Sequence, residues 1–180
     1  MEKKANNEDK IMWKVMIVDD EKLICKLVQA LVEWDKLGMQ MAAQAENAIQ
    51  ALDMLQQYRP DILITDIRMP GMDGLELIKN AKKICPELEI IIISGYAHFE
   101  YARNALSLGV GNYLLKPIKQ DELNETLRKI GERLDAKKSA QGMEMAERRV
   151  SESDVNRLRY ALLKDLVEDA YNPTAVQLQE

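Results

Sequence analysis

Between Trp13 and Asp135 a short apolar run gives way to an amphipathic stretch five times over, an alternation that few folds accommodate. Runs such as Val15-Met16-Ile17-Val18, Ile62-Leu63-Ile64 and Ile90-Ile91-Ile92-Ile93 are too short for helices and lack polar alternation. They read as strands covered on both faces, the mark of a parallel sheet between helical layers. Strands are predicted near 14–19, 39–45, 61–66, 88–94 and 111–115, and helices near 21–34, 48–58, 74–84, 98–108 and 120–135. In the first helix Ile24, Leu27, Val28, Leu31 and Val32 recur at helical spacing. In the third, Leu75, Ile78, Ala81 and Lys82 divide into an apolar and a solvated side. Gly71 and Gly74 supply a flexible turn after the third strand, while Gly109 and Gly111 punctuate the step into the fifth.

Five such units with right-handed crossovers fit an α/β, flavodoxin-like, doubly wound sheet of order 2-1-3-4-5. That order sets the first and third strands side by side where the winding reverses and a crevice opens. Asp19 and Asp20 close the first strand, Asp66 closes the third, and Lys116 follows the fifth run directly before Pro117. Taken singly, Asp19-Asp20 reads as an N-cap, Asp66 as a turn residue and Lys-Pro as a surface turn. Jointly, at the carboxyl ends of adjacent strands, the three carboxylates repel one another by several kcal/mol unless a cation sits among them. Their hard oxygen donors suit Mg²⁺, and no histidine or thiol is needed. The single histidine, His98, reads as a surface or capping residue near a helix start.

A sheet of this kind needs roughly 120 residues, so a chain of 180 residues has length to spare. Residues 1–12 are expected to be a disordered leader, 13–135 the domain, and 136–180 a helical linker or extension that stops before a further domain. Leu123, Leu127, Ile130 and Leu134 begin a heptad seam that lapses at Lys137 and Gln141, which argues against a long coiled coil. A second amphipathic helix is predicted from near Ser153, with a stripe through Val155, Leu158, Leu162 and Leu166, ending at Asn172-Pro173. No apolar run approaches the ~20 residues of a membrane helix. The N-terminus also lacks a signal-peptide core. Cys25 and Cys85, without CxxC spacing, read as buried thiols in a reducing cytoplasm. A net charge of -5 points to protein partners rather than nucleic acid.

Four motifs then stand in order: Ile-Val-Asp-Asp-Glu at 17–21, Ile-Thr-Asp-Ile-Arg-Met-Pro-Gly-Met-Asp-Gly at 64–74, Ile-Ile-Ser-Gly-Tyr at 92–96 and Tyr-Leu-Leu-Lys-Pro-Ile at 113–118. Together they resemble the CheY-like receiver domain of two-component response regulators over residues 13–135. The resemblance implies that Asp66 accepts a phosphoryl group from a sensor histidine kinase. It further implies that Asp20, the Asp66 carboxylate and the backbone carbonyl of Arg68 ligate Mg²⁺, with Asp19 acting mainly through bound water. Ser94 and Tyr113 would be the switch pair, Lys116 the cation on the transferred group, and the Lys116–Pro117 bond cis. The chemistry of phosphoryl transfer agrees, because its transition state asks for positioning and cations rather than proton transfer. Arg68 and Tyr96 are bulky enough, at the mouth of the pocket, to obstruct an attacking water and prolong the phosphorylated state.

Rival chemistries meet specific obstacles. A haloacid-dehalogenase-type phosphatase needs a second aspartate two positions after its nucleophile, where Arg68 stands. A flavodoxin-type flavin binder or a Rossmann enzyme needs a hydroxyl- or glycine-rich first turn, where Asp19-Asp20-Glu21 would repel a phosphate. The chain is therefore expected to be a phosphorylatable switch, not an enzyme, with at most slow self-dephosphorylation. Its expected output is a phosphorylation-dependent homodimer through the fourth helix, fifth strand and fifth helix. The stretch 94–102 resembles the receiver subgroup that usually carries a C-terminal AraC-type helix-turn-helix domain, although Ala48 departs from that subgroup's usual glycine. Residues 121–180 carry 13 acidic and 10 basic residues, so DNA would be read only by a domain beyond this chain. The alternative output is a stand-alone receiver acting on a protein partner.

Overall fold

The structure, a computed structural model, describes residues 12–95, 99–143 and 157, with no side-chain detail at 99, 100 and 102. The leader, Tyr96, His98 and, Arg157 apart, the amphipathic stretch expected from Ser153 lie outside the described residues. The strands are β1 (Trp13–Val18), β2 (Met39–Ala45), β3 (Ile62–Thr65), β4 (Glu89–Ser94) and β5 (Asn112–Leu115). The helices are α1 (Lys22–Leu31), α2 (Trp34–Leu37), α3 (Ala48–Tyr58), α4 (Gly74–Ile84), α5 (Phe99–Ser107) and α6 (120–143). All strand pairs are parallel, in the order β2-β1-β3-β4-β5. The chain divides after Glu132 into two compact units.

The apolar runs are strands because both their faces are covered: every residue of β3 is buried, as are all but one of β1 and of β4. Met16, Leu63, Ile92, Leu77 and Ile78 belong to one contiguous core cluster. Two helix starts have a local cause. The Asn47 side chain accepts the Gln50 N–H to cap α3, and that of Asp73 accepts the Glu76 N–H to cap α4, at 2.9 and 2.8 Å. At the far end of α5, the Lys82 ammonium donates to the carbonyl of Leu108 at 2.8 Å, satisfying an orphan helix carbonyl from the neighbouring α4.

Two readings of the sequence are corrected, that of the first helix and that of Cys85. The first predicted helix ends at Leu31, because Val32 turns extended and a separate short α2 follows. Its inward arc runs through Cys25, Val28 and Val32, which leaves Leu27 exposed. Cys85 caps the end of α4 and is only half-buried. Helix α6 continues to 143 although its seam lapses, with residues 135–143 exposed throughout, so propensity rather than a buried stripe carries that end.

Candidate functional site

The register pairs Val18 with Thr65, so Asp19 and Asp66 leave adjacent strands at the same level. Their backbones are fixed there: the Asp66 N–H donates to the Val18 carbonyl at 3.0 Å, and the Asp19 N–H to that of Ala45 at 3.3 Å. Carboxylate oxygens of Asp19, Asp20 and Asp66 lie within 4.8 Å of one another. Asp19 and Asp66 are buried, whereas Asp20 faces solvent. The Lys116 ammonium reaches in from the end of β5, 3.0 Å from Asp19 Oδ2 and 2.9 Å from Asp66 Oδ2. Glu21 Oε1 stands 3.9 Å from the same nitrogen. The Lys116 N–H donates to the Ser94 carbonyl at 2.9 Å, and the Lys116–Pro117 bond is cis.

The N-cap reading of Asp19-Asp20 is not met, because Glu21 stands at the N-cap of α1 without a side-chain cap; Asp19 Oδ1 instead accepts the Glu21 N–H at 2.9 Å ahead of the helix, while its other oxygen faces Lys116. Burial raises the Asp19 carboxyl above its ordinary value, against the pull of the Glu21 N–H and of Lys116. Burial also works to lower the Lys116 ammonium, but its hydrogen bonds to Asp66 and Asp19 outweigh that and hold it above its ordinary value. Three carboxylates face this one ammonium, so the crevice is short of positive charge even with its lysine in place. Three carboxylates with oxygen donors converging there fit a hard divalent ion such as Mg²⁺.

Around Asp66 the loop is tightly held. Its Oδ1 accepts the Ile67 N–H at 2.6 Å and lies 3.4 Å from the Arg68 N–H, while the Arg68 side chain is exposed. Ser94, fully buried, ends β4; Tyr113, half-buried on β5, pairs with Ile92 and packs on the core. The sheet therefore gathers Asp19, Asp20, Asp66 and Lys116 at one edge, with Ser94 tied to Lys116 through the backbone.

Two residues carry more of the site than their sequence signals suggest. Gly74 is read from sequence as part of a flexible turn, yet it is the first residue of α4. A Cβ there would stand 2.0 Å from the Asp66 carbonyl oxygen and 2.9 Å from Ile67 Cα, and its N–H donates to the Ile67 carbonyl at 2.7 Å. Close backbone approach, not flexibility, requires glycine there. Gly71, at φ 84°, is the residue that supplies the turn. Cys25, buried beneath the site, donates its Sγ–H to the Asp19 carbonyl at 3.6 Å, and burial pushes its thiol up to about 11. Such a thiol is an inert support.

Comparison with known proteins bears directly on this arrangement. The response regulator receiver domain family matches residues 15–128. The chain is 40% identical over 119 residues to the transcriptional regulatory protein YesN of Bacillus subtilis, covering 66% of this chain and 32% of that protein. It is 32% identical over 135 residues to the transcriptional regulatory protein HptR of Staphylococcus aureus, covering 75% of this chain and 53% of that one. The chain thus spans about a third to a half of these relatives' length. Among solved structures, the REC domain of AraT, a response regulator from Geobacillus stearothermophilus, is similar at 38% identity with a TM-score of 0.67, covering 71% of this chain and 98% of that one. The two-component transcriptional regulator AraC from Clostridium phytofermentans is similar at 35% identity and a TM-score of 0.61, covering 66% and 92%. No helix among the described residues is long and apolar enough to cross a membrane. On the family match and the shared architecture, the chain belongs to the receiver domains of two-component response regulators.

Proposed function

We propose that this chain takes a phosphoryl group from a sensor histidine kinase onto Asp66 and passes the event on through a self-association surface. The observation that carries the reading is Lys116, whose ammonium is within hydrogen-bond distance of both Asp19 and Asp66 in a crevice still short of positive charge. A carboxylate oxygen of Asp66 attacks the phosphorus of the phosphohistidine. The P–N bond breaks as the P–O bond forms, its electron pair leaving on the imidazole nitrogen, which takes a proton from solvent. Lys116 accompanies the negative charge that spreads over the equatorial oxygens. Asp20, the Asp66 carboxylate and the Arg68 carbonyl would hold Mg²⁺, with Asp19 linked through water. When bound, the ion supplies charge neutralisation and in-line orientation of the transferring group.

On this reading the chain is a phosphoacceptor with at most slow self-dephosphorylation. Ser94 turns to donate to the new phosphoryl oxygens, and Tyr113 swings toward the space it leaves. The surface of α5, β5 and the start of α6 then favours a homodimer, and a few kcal/mol of bias suffices to shift such a population. Residues 13–135 act as the receiver, and the residues that follow link it, in the cytoplasm, to an AraC-type DNA-binding domain. That output is supported by the relatives from Bacillus subtilis, Staphylococcus aureus and Clostridium phytofermentans, which are named as transcriptional regulators.

Incubation with acetyl phosphate and Mg²⁺, followed by intact mass measurement, tests the acceptor. The expected result is one phosphoryl increment, lost in Asp66→Asn and in chelator. An increment that survives Asp66→Asn refutes the assignment. Oligomeric mass with and without beryllofluoride tests the dimer, and an unchanged monomer refutes it.

A further inference from the structure

We infer that the cleft between α4 and α5 is a docking site for a short acidic peptide segment of a partner protein, separate from the phosphoacceptor crevice. The cleft is an open one of about 650 Å³, lined mainly by polar side chains. Lys79 and Lys83 lie one helical turn apart on its α4 wall, and Asn104 and Ser107 stand on the α5 wall. Neither lysine is in an ion pair with a described residue: Lys83 donates at 3.2 Å to the neutral side chain of Asn80, and Lys79 has no described carboxylate within ion-pair distance. Two ammoniums one turn apart, neither in an ion pair with a described residue, face this end of the cleft and favour an anionic group there.

The shape of the charge narrows that occupant further. Asp73 and Glu76 line the same cleft at the start of α4, so its two ends differ in sign. A nucleic acid strand, negative along its whole length, would meet repulsion at that end. A peptide with carboxylates at one end and neutral or basic residues at the other matches both. The neutral amide and hydroxyl groups of Asn80, Asn104 and Ser107 offer partners for an extended backbone.

Both walls originate at the phosphoacceptor crevice. Helix α4 starts at Gly74, whose N–H donates to Ile67 one residue past Asp66, and α5 follows β4, which ends at Ser94. Lys82 ties the two walls by donating to the carbonyl of Leu108. A segment bound between them is therefore coupled to the state of Asp66, and by linkage the coupling runs both ways. This coupling rests on the proposed role of Asp66, whereas the docking site itself does not.

The test is a titration of the isotope-labelled 180-residue chain, followed by amide NMR, with a capped octapeptide of sequence Leu-Glu-Glu-Leu-Ala-Gln-Lys-Leu and with its counterpart carrying Gln for both Glu. The expected result is shift changes centred on Lys79, Lys83, Asn104 and Ser107 for the acidic peptide, with binding weakened roughly fivefold in the Lys79→Gln/Lys83→Gln variant. Equal binding of both peptides, shifts elsewhere, no binding, or preference for a single-stranded oligonucleotide at the same residues overturns the site. Asp66→Asn separates the two readings, because it should bind the acidic peptide as the parent does. Beryllofluoride with Mg²⁺ should change the parent's affinity and leave the Asp66→Asn affinity alone; an unchanged parent affinity overturns the coupling.

Discussion

Replacing Gly74 with alanine probes how tightly the acceptor loop is held by the helix behind it. The added Cβ would stand 2.0 Å from the Asp66 carbonyl oxygen, where ordinary contact begins at 3.4 Å, a shortfall of about 1.4 Å. The other near atoms, Ile67 Cα at 2.9 Å and the Asp66 carbonyl carbon at 3.0 Å, are backbone as well, so no side chain can step aside. Either the loop or the first turn of α4 must move, stretching the 2.7 Å bond from Gly74 to Ile67. Overpacking of this kind costs about 1–3 kcal/mol and the weakened hydrogen bond about 1 kcal/mol more. For a domain of this size roughly 3 kcal/mol lowers the melting temperature by roughly 10 °C. A displacement of about 1 Å at the acceptor also slows phosphoryl transfer by roughly a hundredfold. Differential scanning fluorimetry reads the first effect and time-resolved acetyl phosphate labelling the second. Gly111→Ala, whose Cβ meets nothing within 4 Å, serves as the neutral control. A Gly74→Ala protein that melts and labels like the parent refutes the close-approach argument, and one that melts low but labels normally refutes its link to the acceptor.

Asp19→Asn should raise the melting temperature at neutral pH in chelator, because burial raises that carboxyl and disfavours its charged form. A raised acid binds more protons folded than unfolded, so the parent loses stability as pH rises from the ordinary carboxylate range through the raised value. The gain from Asp19→Asn should therefore vanish at lower pH, and a pH-independent gain contradicts this cause. Lys116→Met should lower stability by roughly 3 kcal/mol in chelator, since it leaves two buried carboxylates without their cation. It should bind Mg²⁺ more tightly in a thermal-shift titration yet label more slowly, and parallel changes in the two readouts refute the assigned role. Arg68→Ala, which removes an exposed side chain next to the acceptor loop, should shorten the phosphorylated lifetime measured by loss of the mass increment. An equal or longer lifetime refutes the shielding argument.

What the sequence made legible was whatever has a period or a fixed partner. Buried runs such as Ile62–Thr65 have no competing helical pattern, and Asn47 and Asp73 mark their helix starts by their own side chains, so α3 and α4 were readable to the residue. The first helix was misjudged because Leu27, Leu31 and Val32 continue an apolar spacing that the backbone abandons at Val32. Periodicity names a stripe without saying which arc of it meets the sheet. The acid cluster was legible because strand order and strand-end position suffice to converge it. The role of Gly74 was not, since contact with the Asp66 carbonyl joins backbone to backbone and leaves no side-chain pattern. The cleft between α4 and α5 was equally hidden, as Lys79 and Lys83 are an ordinary solvated helix face until α5 is placed opposite them.

The charges of the crevice suggest why it uses both a lysine and a metal. Asp19, Asp20 and Asp66 bring three negative charges and Lys116 one positive, which leaves two, the charge of one divalent ion. On the proposed reading, phosphorylating Asp66 to an acyl phosphate removes its carboxylate charge while the phosphoryl group adds about -1.5 to -2, so the site total changes by only about -0.5 to -1. A change that small, shared with a bound ion, is a weak lever on the fold. The stronger one is position: negative charge moves outward from Asp66 and arrives as new acceptor oxygens near the end of β4. Ser94 is buried there, and its carbonyl already accepts the N–H of Lys116 at 2.9 Å. The lysine that meets those oxygens is therefore held by its backbone beside the residue proposed to answer them. The consequence is that Ser94→Ala should spare labelling of Asp66 while uncoupling it from the dimer, because that substitution removes the hydroxyl and keeps the carbonyl that anchors Lys116.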